Sequence, residues 1–579
     1  MTMKRFLLFA AAVSLLPLGA SAQVGKQVEV TKTYVPDVES ASKLPVRPDM
    51  TDTAMLRPDI DYTVTPLTIR TPLTVRPIRP ASVTYWEFNR PYTFYAKAGV
   101  GYPLNSVADF YAASQNPGTG YVVGYLNHAG RYADIRNDFG DRLNSVRLTN
   151  RVGAAAGKYV GRRLLEGELS YDNRLYHRYG RYRPNDEPFY VAGAPGSLVD
   201  YGDADFALRF GDDFLDLSRF NFEVSAHGGI FFDHSDRSDL VAPARQNRVG
   251  AATKLGKAFG RHRVTLEAGY EWLDGRKSLA GLRQQQIRAG ARYGLDCGLA
   301  RFVVGADYYH DMMTGEENGN YFIPFARVDF VLDGHEFKPF FELDGGVHDN
   351  SFRSLAQQNP YVGVREWGAK SSVDYRIRAG LGGSLRHDSF DYRLYAAVSI
   401  RDHHVYWYGS SAAREDSYLF LGVLTPALSR QTVLSLHGEI VYRPVSQLKM
   451  ELGLHGFLYN DEAIPLCIYD RRIKLGNGEP AFRANAAVRY EGRKIAFGVS
   501  VRAESGRQWS MFVHRGDEID AERYSVPFAV DLGVDFEWKI SGRVALFAEG
   551  RNLANRKLYE FPWYRDYGVN CTVGAKVAF

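Results

Sequence analysis

The 579-residue chain has room for roughly three or four ordinary globular domains, but its 37 Tyr, 34 Phe and 56 Gly are heavy for soluble ones. They suit many short strands with aromatic belts at a membrane boundary. A formal net charge of +5, with both signs interleaved throughout, leaves no footprint for nucleic acid. Cys297, Cys467 and Cys571 are too few and too scattered for a disulfide framework, and no zinc-ligand spacing accompanies them.

The chain opens with Lys4 and Arg5 ahead of the apolar run Phe6 to Leu16, and Ala20, Ser21 and Ala22 before Gln23 form an A-x-A cleavage site. This pattern predicts a cleaved secretory signal over residues 1–22, whose removal lowers the formal charge from +5 to +3. No Cys follows the cleavage point, so no lipoprotein anchor is expected there. Beyond it no apolar run reaches the ~18 residues of a spanning helix.

Residues 23–90 read as a separate segment. Pro36, Pro45, Pro48, Pro58, Pro66, Pro72, Pro77 and Pro80 recur through a Thr- and Val-rich stretch with neither helical nor strand periodicity. Such spacing predicts an extended, polyproline-like chain, periplasmic or lumenal, which could serve as a strip for a periplasmic or outer-membrane protein partner.

From Pro91 to Phe579 period-two alternation takes over. Val526, Phe528, Val530, Leu532, Val534, Phe536 and Trp538 alternate with Ala529, Asp531, Gly533, Asp535, Glu537 and Lys539. The same pattern sets Val264, Leu266, Ala268, Tyr270 and Trp272 against Glu267 and Glu271, Val373 to Leu381 against Asp374, Arg376 and Arg378, and Leu448 to Leu454 against Lys449, Glu451 and His455. One face is apolar and the other cannot sit in hydrocarbon.

Connection lengths separate a soluble sandwich from a membrane barrel, because outer-membrane barrels alternate short periplasmic turns with long extracellular loops. Short turns are expected near 115–118, 161–162, 213–218, 258–261, 297–299, 333–335, 386–389, 444–447, 492–493 and 540–543. Between them lie longer segments near 133–143, 180–200, 233–245, 274–284, 312–319, 349–371, 408–430, 460–481, 504–523 and 554–567, with one short turn, Pro103 to Ser106, on the loop side. The sequence thus predicts an all-β, transmembrane, antiparallel up-and-down β-barrel of about 22 strands over residues 91–579, integral to the outer membrane and in contact with its lipid, with both barrel ends periplasmic.

In the last strand Val569, Cys571, Val573, Ala575, Val577 and Phe579 share one face and Asn570, Thr572, Gly574, Lys576 and Ala578 the other. An amphipathic strand ending on an aromatic residue is similar to the insertion signal of outer-membrane proteins, which implies the barrel assembly machinery as a partner during biogenesis. Just upstream, Val544 to Glu549 leads into Asn552, Leu553, Ala554, Asn555 and Arg556. This N-L-x-N-like start of the last loop, with the strand count, resembles the end of the TonB-dependent receptors. The resemblance covers residues 91–579. That family carries a plug domain larger than all of 23–90, so a barrel without a globular plug is expected. Val28 to Tyr34, reading VEVTKTY, resembles a TonB box only loosely.

The expected lumenal face mixes Asp531, Asp535, Glu537, Lys539, Arg376, Arg378, Glu267, Glu271 and Glu439, which argues against strong ion selectivity. Tyr406, Trp407, Tyr408, Phe561, Trp563 and Tyr564 are expected in the aromatic girdle rather than in a ligand platform. Adjacent His403 and His404 point to opposite faces of a strand and make a poor metal pair. Asp200, Asp203 and Asp205 have a spacing that suits a hard cation but lack the Gly and Glu of an EF-hand loop, so no metal or cofactor is assigned. No nucleophile-elbow, zincin or P-loop motif occurs, and no catalytic residue is assigned. The leading functional expectation is transport or a channel for an unidentified solute. An interaction subunit whose N-terminal segment binds a partner comes next, and a membrane enzyme third.

Overall fold

The computed structural model describes residues 93–579 except 115–118, 139, 181–197, 236–242, 331–335, 364–369, 386–388, 415–416, 420–421, 467–470 and 516–517. The predicted signal with its cleavage residues Ala20, Ala22 and Gln23, and the Pro-rich stretch 23–90, lie outside the described residues.

The first staves are β1 (Phe94–Tyr102), β2 (Asn105–Ala113), β3 (Gly120–Arg131), β4 (Arg147–Val160), β5 (Arg163–His177) and β6 (Leu198–Gly211). There follow β7 (Asn221–Asp233), β8 (Ala244–Phe259), β9 (His262–Lys277), β10 (Arg283–Asp296), β11 (Ala300–Met313) and β12 (Gly319–Phe330). Next come β13 (Lys338–His348), β14 (Ser372–Leu385), β15 (Phe390–Arg414), β16 (Leu424–Val445) and β17 (Leu448–Asp461). The last are β18 (Phe482–Glu491), β19 (Ile495–Glu504), β20 (Ala529–Lys539), β21 (Val544–Arg551) and β22 (Asn570–Ala578). Each pairs antiparallel with the next, and β22 returns to β1 from Tyr95 opposite Ala578 to Tyr102 opposite Cys571, closing a 22-stranded barrel.

Among the described residues the short turns fall where the sequence places them, whereas those expected near 115–118, 333–335 and 386–389 lie wholly or mostly outside the described residues. At the two-residue hairpins after β4 and β8, Gly161 (φ 64°) and Gly260 (φ 62°) supply the left-handed backbone that such turns require. The alternation also falls as read. Leu169, Leu208, Leu266, Leu394, Phe536, Trp538 and Val573 stand exposed on the outer wall, where lipid rather than water is their natural solvent.

The inner wall carries the charges in cross-strand pairs. Arg378 lies 2.6 Å from Asp344, Arg292 2.6 Å from Asp307, Arg288 3.0 Å from Glu267 and Lys97 2.9 Å from Glu549.

Two expectations change. Residues 408–430 are mostly strand: β15 runs for 25 residues and β16 for 22, well past the 9–11 or so that cross a bilayer. The ladder continues because the extension of β15 gains a second partner, pairing in parallel with the segment Arg507–Arg515. That segment forms a hairpin with Glu518–Val526, so Val526 is buried in a loop strand and does not share the lipid face of Phe528 and Phe536.

One seam of the wall is thin. β12 and β13 pair only from Ala326 opposite Leu343 to Asp329 opposite Phe340. The register would next place Phe325 opposite Asp344 and then Pro324, which has no N–H to donate, opposite Gly345, and Pro339 flanks the other end. Above the pairs the gap is filled by side chains: Tyr309, Ile323, Val347 and Val373 form a buried cluster with Tyr321 and Tyr375 against it. Val373, expected on the open outer face, is therefore only 1% exposed.

Candidate solute entry site

At the loop end the mouth is bridged by three inward-folded segments. Loop 349–371 carries helix α1 (Phe352–Gln358), started by Ser351, whose side chain accepts from the Ser354 amide. Phe352, Leu355 and Ala356 of α1 pack with Tyr176, Tyr201 and Phe231 of the inner wall. The same core takes Met511 and Val513 from the 507–526 hairpin and Trp563 and Tyr564 from loop 552–569. Tyr361 stacks on Tyr564 at 3.5 Å between ring centroids, with Tyr179 edge-on to Tyr564 at 5.0 Å. Burial, then the neighbouring Tyr179 and Tyr564, hold the Tyr361 hydroxyl well above its ordinary pKa, so it stays neutral. Tyr564 donates to the carbonyl of Gly422, where φ is 69° and an added Cβ would lie 2.7 Å from the Tyr564 hydroxyl.

Arg353 fixes the cap to the wall. Its Nε donates to Asp203 at 2.8 Å, its guanidinium reaches Asp205 at 2.5 Å, and its backbone amide donates to Gln246 at 3.0 Å. Gln357 adds a bond to Asp203 at 3.1 Å. The carboxylates with a cation's spacing therefore hold a guanidinium. Asp200 lies on the opposite face of β6, where it accepts from Asn173 at 2.8 Å.

The aromatic residues expected in the girdle are elsewhere. Tyr406 is 1% exposed, in a core with Leu475 and Phe512 that Tyr408 flanks, and its hydroxyl donates to Asp461 at 2.7 Å. Trp563 and Tyr564 lie inside the cap, with Trp407 and Phe561 packed against it. An aromatic run beside a strand end reads the same whether it meets lipid headgroups or a folded loop. At His403 a bulge interrupts the alternation (φ 54°): the His403 ring contacts the Ser371 carbonyl at 3.1 Å, while His404 sits 3.8 Å from Glu479. The two rings have separate partners.

The N-L-x-N-like motif is a turn device. Asn552 and Asn555 both take left-handed backbone, φ 47° and 48°. The Asn552 carboxamide accepts from the Arg556 amide at 2.9 Å and donates to the carbonyls of Arg556 and Tyr567 at 2.8 and 2.9 Å, tying the two ends of the last loop together. Leu553 is partly exposed beside Gly550. The loop then docks on 132–146: Lys557 meets Asp138 at 2.8 Å, Tyr559 donates to the same carboxylate, and Tyr567 donates to the Ala133 carbonyl at 2.6 Å. Burial pushes Asp138 up, but the bonds from Lys557 and Tyr559 outweigh it and hold the carboxyl below its ordinary range.

The last strand runs over Asn570–Ala578, with Val569 just before it and Phe579 continuing the register. Cys571, Val573 and Phe579 are exposed on the outer face; Ala575 and Val577 are half-buried on it. Phe94 and Phe579 exchange two backbone bonds, at 2.8 and 3.0 Å, and their rings meet at 5.3 Å.

Beside the cap, where β1, β2, β21 and β22 are only eight or nine residues long, the mouth retains a cavity of about 770 Å³. It lies under the last loop, with the turn residues Pro103 and Leu104 at its edge. Its wall alternates guanidinium and carboxylate: Arg131 with Asp566 (2.7 Å), Arg147 with Glu560 (2.8 Å) and Arg502 with Glu504 (2.5 Å). Arg507 and Arg551, which sequence reasoning did not single out, also line it.

No family model and no curated protein matches the sequence. Solved structures do match in shape. The ferripyoverdine receptor of Pseudomonas aeruginosa aligns at a TM-score of 0.61 and 11% identity over 85% of this chain and 72% of that one. The FrpB iron transporter of Neisseria meningitidis gives 0.62 and 10% over 85% and 82%, and the ferric-catecholate import receptor Fiu of E. coli K12 gives 0.61 and 10% over 85% and 82%. The barrel has the TonB-dependent-receptor fold. At such identities the TonB-dependent-receptor likeness speaks for architecture, and no ligand-binding residue transfers with it.

Proposed function

We propose that this protein is an outer-membrane transport barrel that admits a polar solute from the cavity beside the loop cap into its charge-lined lumen. The observation that supports this is the pairing of a closed 22-stranded wall, wide enough for a lumen, with a mouth that its own loops bridge beside a polar cavity. The structural neighbours described as iron transporter and ferric-catecholate import receptor are consistent with it. Residues 23–90 remain candidates for a partner-binding or lumenal strip.

Single-channel recording and solute flux in proteoliposomes test the reading, using the full chain, a chain lacking residues 23–90, and Arg353→Ala, which unpins the cap. Conductance or flux that rises in at least one variant is the expected result. Three proteins indistinguishable from bare lipid would sink the transport reading and favour the interaction-subunit alternative. That alternative predicts stoichiometric proteins co-purifying from native membrane and lost with residues 23–90.

A further inference from the structure

Most charges around the mouth cavity are matched. Asp566 holds Arg131, Glu560 holds Arg147, and Glu549 holds Lys97 at 2.9 Å. On the β18–β19 side the pairing is less even, although Asp531, opposite Arg502 in the ladder, also lines the cavity, where it accepts from the Asn552 amide at 2.8 Å. Glu504 faces both Arg502, at 2.5 Å, and Arg483, at 2.9 Å.

Arg507, a few residues on, has no carboxylate partner among the described residues. It donates to the Tyr559 carbonyl and lies 4.9 Å over the Trp509 ring. Burial, with the nearby Arg502 and Arg483, pushes its pKa down against the pull of Glu504 and Glu560. Arg551 projects into the same cavity from the end of β21, and none of the described carboxylates pairs with it. Asn105, Asn570 and Thr572 line the opposite side with neutral donors and acceptors.

Guanidinium groups bind carboxylate and phosphate through paired N–H donors, and do so best where water is partly excluded. We propose that Arg502, Arg507 and Arg551 form an anion-binding subsite in the mouth cavity, selecting solutes that carry a carboxylate or phosphate on a polar, hydrogen-bonding body. This rests on the transport reading for its role as a selectivity site, but its binding chemistry stands apart from flux. The phosphate of a lipopolysaccharide is a second source of the same chemistry.

The test uses the full chain in detergent, freed of lipopolysaccharide, with calorimetric titration of glucuronate, glucose 6-phosphate and glucose. The expected result is binding of one or both anions, weakened by salt and absent for glucose, with affinity falling about tenfold in Arg507→Ala and in Arg551→Ala. Arg507→Lys should recover part of the loss. Arg219→Ala, at a turn on the other side of the membrane, should change nothing. Heat-modifiable migration on gels confirms that each variant is a folded barrel. Native mass spectrometry of protein purified without lipopolysaccharide removal reports the lipid source, through retained lipid that the Arg507→Ala/Arg551→Ala variant loses.

Equal binding of glucose and glucuronate, anion binding indifferent to both arginines, or no anion and no lipid bound would each overturn the site. If anions bind through these arginines while no variant conducts, the subsite stands and the transport reading falls. If flux occurs but neither arginine affects anion selectivity, the reverse holds.

Discussion

Arg353 shows how one side chain decides whether a loop is a lid or a tether. Its side chain is 9% exposed and that of Asp203 4%, so the pair sits where an uncompensated charge is costly. Arg353→Ala should cost the docking of α1 roughly 3–5 kcal/mol, because Asp203 loses its charged partner and keeps only the Gln357 bond while remaining buried next to Asp205. The wall hydrogen bonds are untouched, so the barrel should stay folded on gels while loop 349–371 becomes accessible to protease. Protease resistance equal to the native chain's would show that the apolar contacts of Phe352 and Leu355 suffice alone. Asp138 acts at the other side of the cap, and its sign is fixed by its lowered pKa. It stabilises the last loop above the ordinary carboxylate value of about 4 and loses that contribution as pH falls through its depressed folded value. Hydrogen exchange in 552–569, corrected for its intrinsic pH dependence, should therefore rise as pH drops below about 4. In Asp138→Asn that step should vanish; an unchanged step would place the acid sensitivity elsewhere.

At the scale of elements, regular alternation was legible and loops were not. The Gly-containing turn after β4 and the apolar–charged pattern of β20 follow from local residue types, because each residue's environment in a barrel wall is set by its parity. Tyr406 and Trp563 could not be placed by such a rule, since their neighbours arrive from segments far away in sequence. Helix α1 left a faint trace, a Ser cap ahead of the helix formers Leu355, Ala356 and Gln357, that period-two reading passes over. Arg507 and Arg551 left none: that a cation has no carboxylate partner among the described residues is visible only once the chain has closed. The β12–β13 seam lies between these extremes, written in Pro324 yet recognisable only beside Pro339. Its four cross-strand pairs predict that amides of β13 exchange faster than those of β14, which is paired on both edges along its length. Equal protection would mean that the aromatic filling seals the gap as well as a ladder does.

On the scale of the whole molecule, closure brings the two ends of the barrel together, and Phe579 takes part in two separable ways. Its backbone completes the β22–β1 ladder with Phe94, and its ring stands on the outer face, 56% exposed, against that of Phe94. Phe579→Ala keeps the first and removes the second. An exposed ring in contact with one neighbour contributes modestly, so refolding of the purified variant into detergent should be nearly native, with a stability loss of at most about 1–2 kcal/mol. If the ring is instead read by the assembly machinery as the terminal signal, the same substitution should sharply reduce folded, heat-modifiable barrel in cells. Removing Phe579 altogether should impair both, because the Phe94 amide and carbonyl lose their partners at the point where the cylinder shuts. A Phe579→Ala chain that assembles normally in cells would assign the ring to packing; one that fails equally in detergent would make it part of the closure itself.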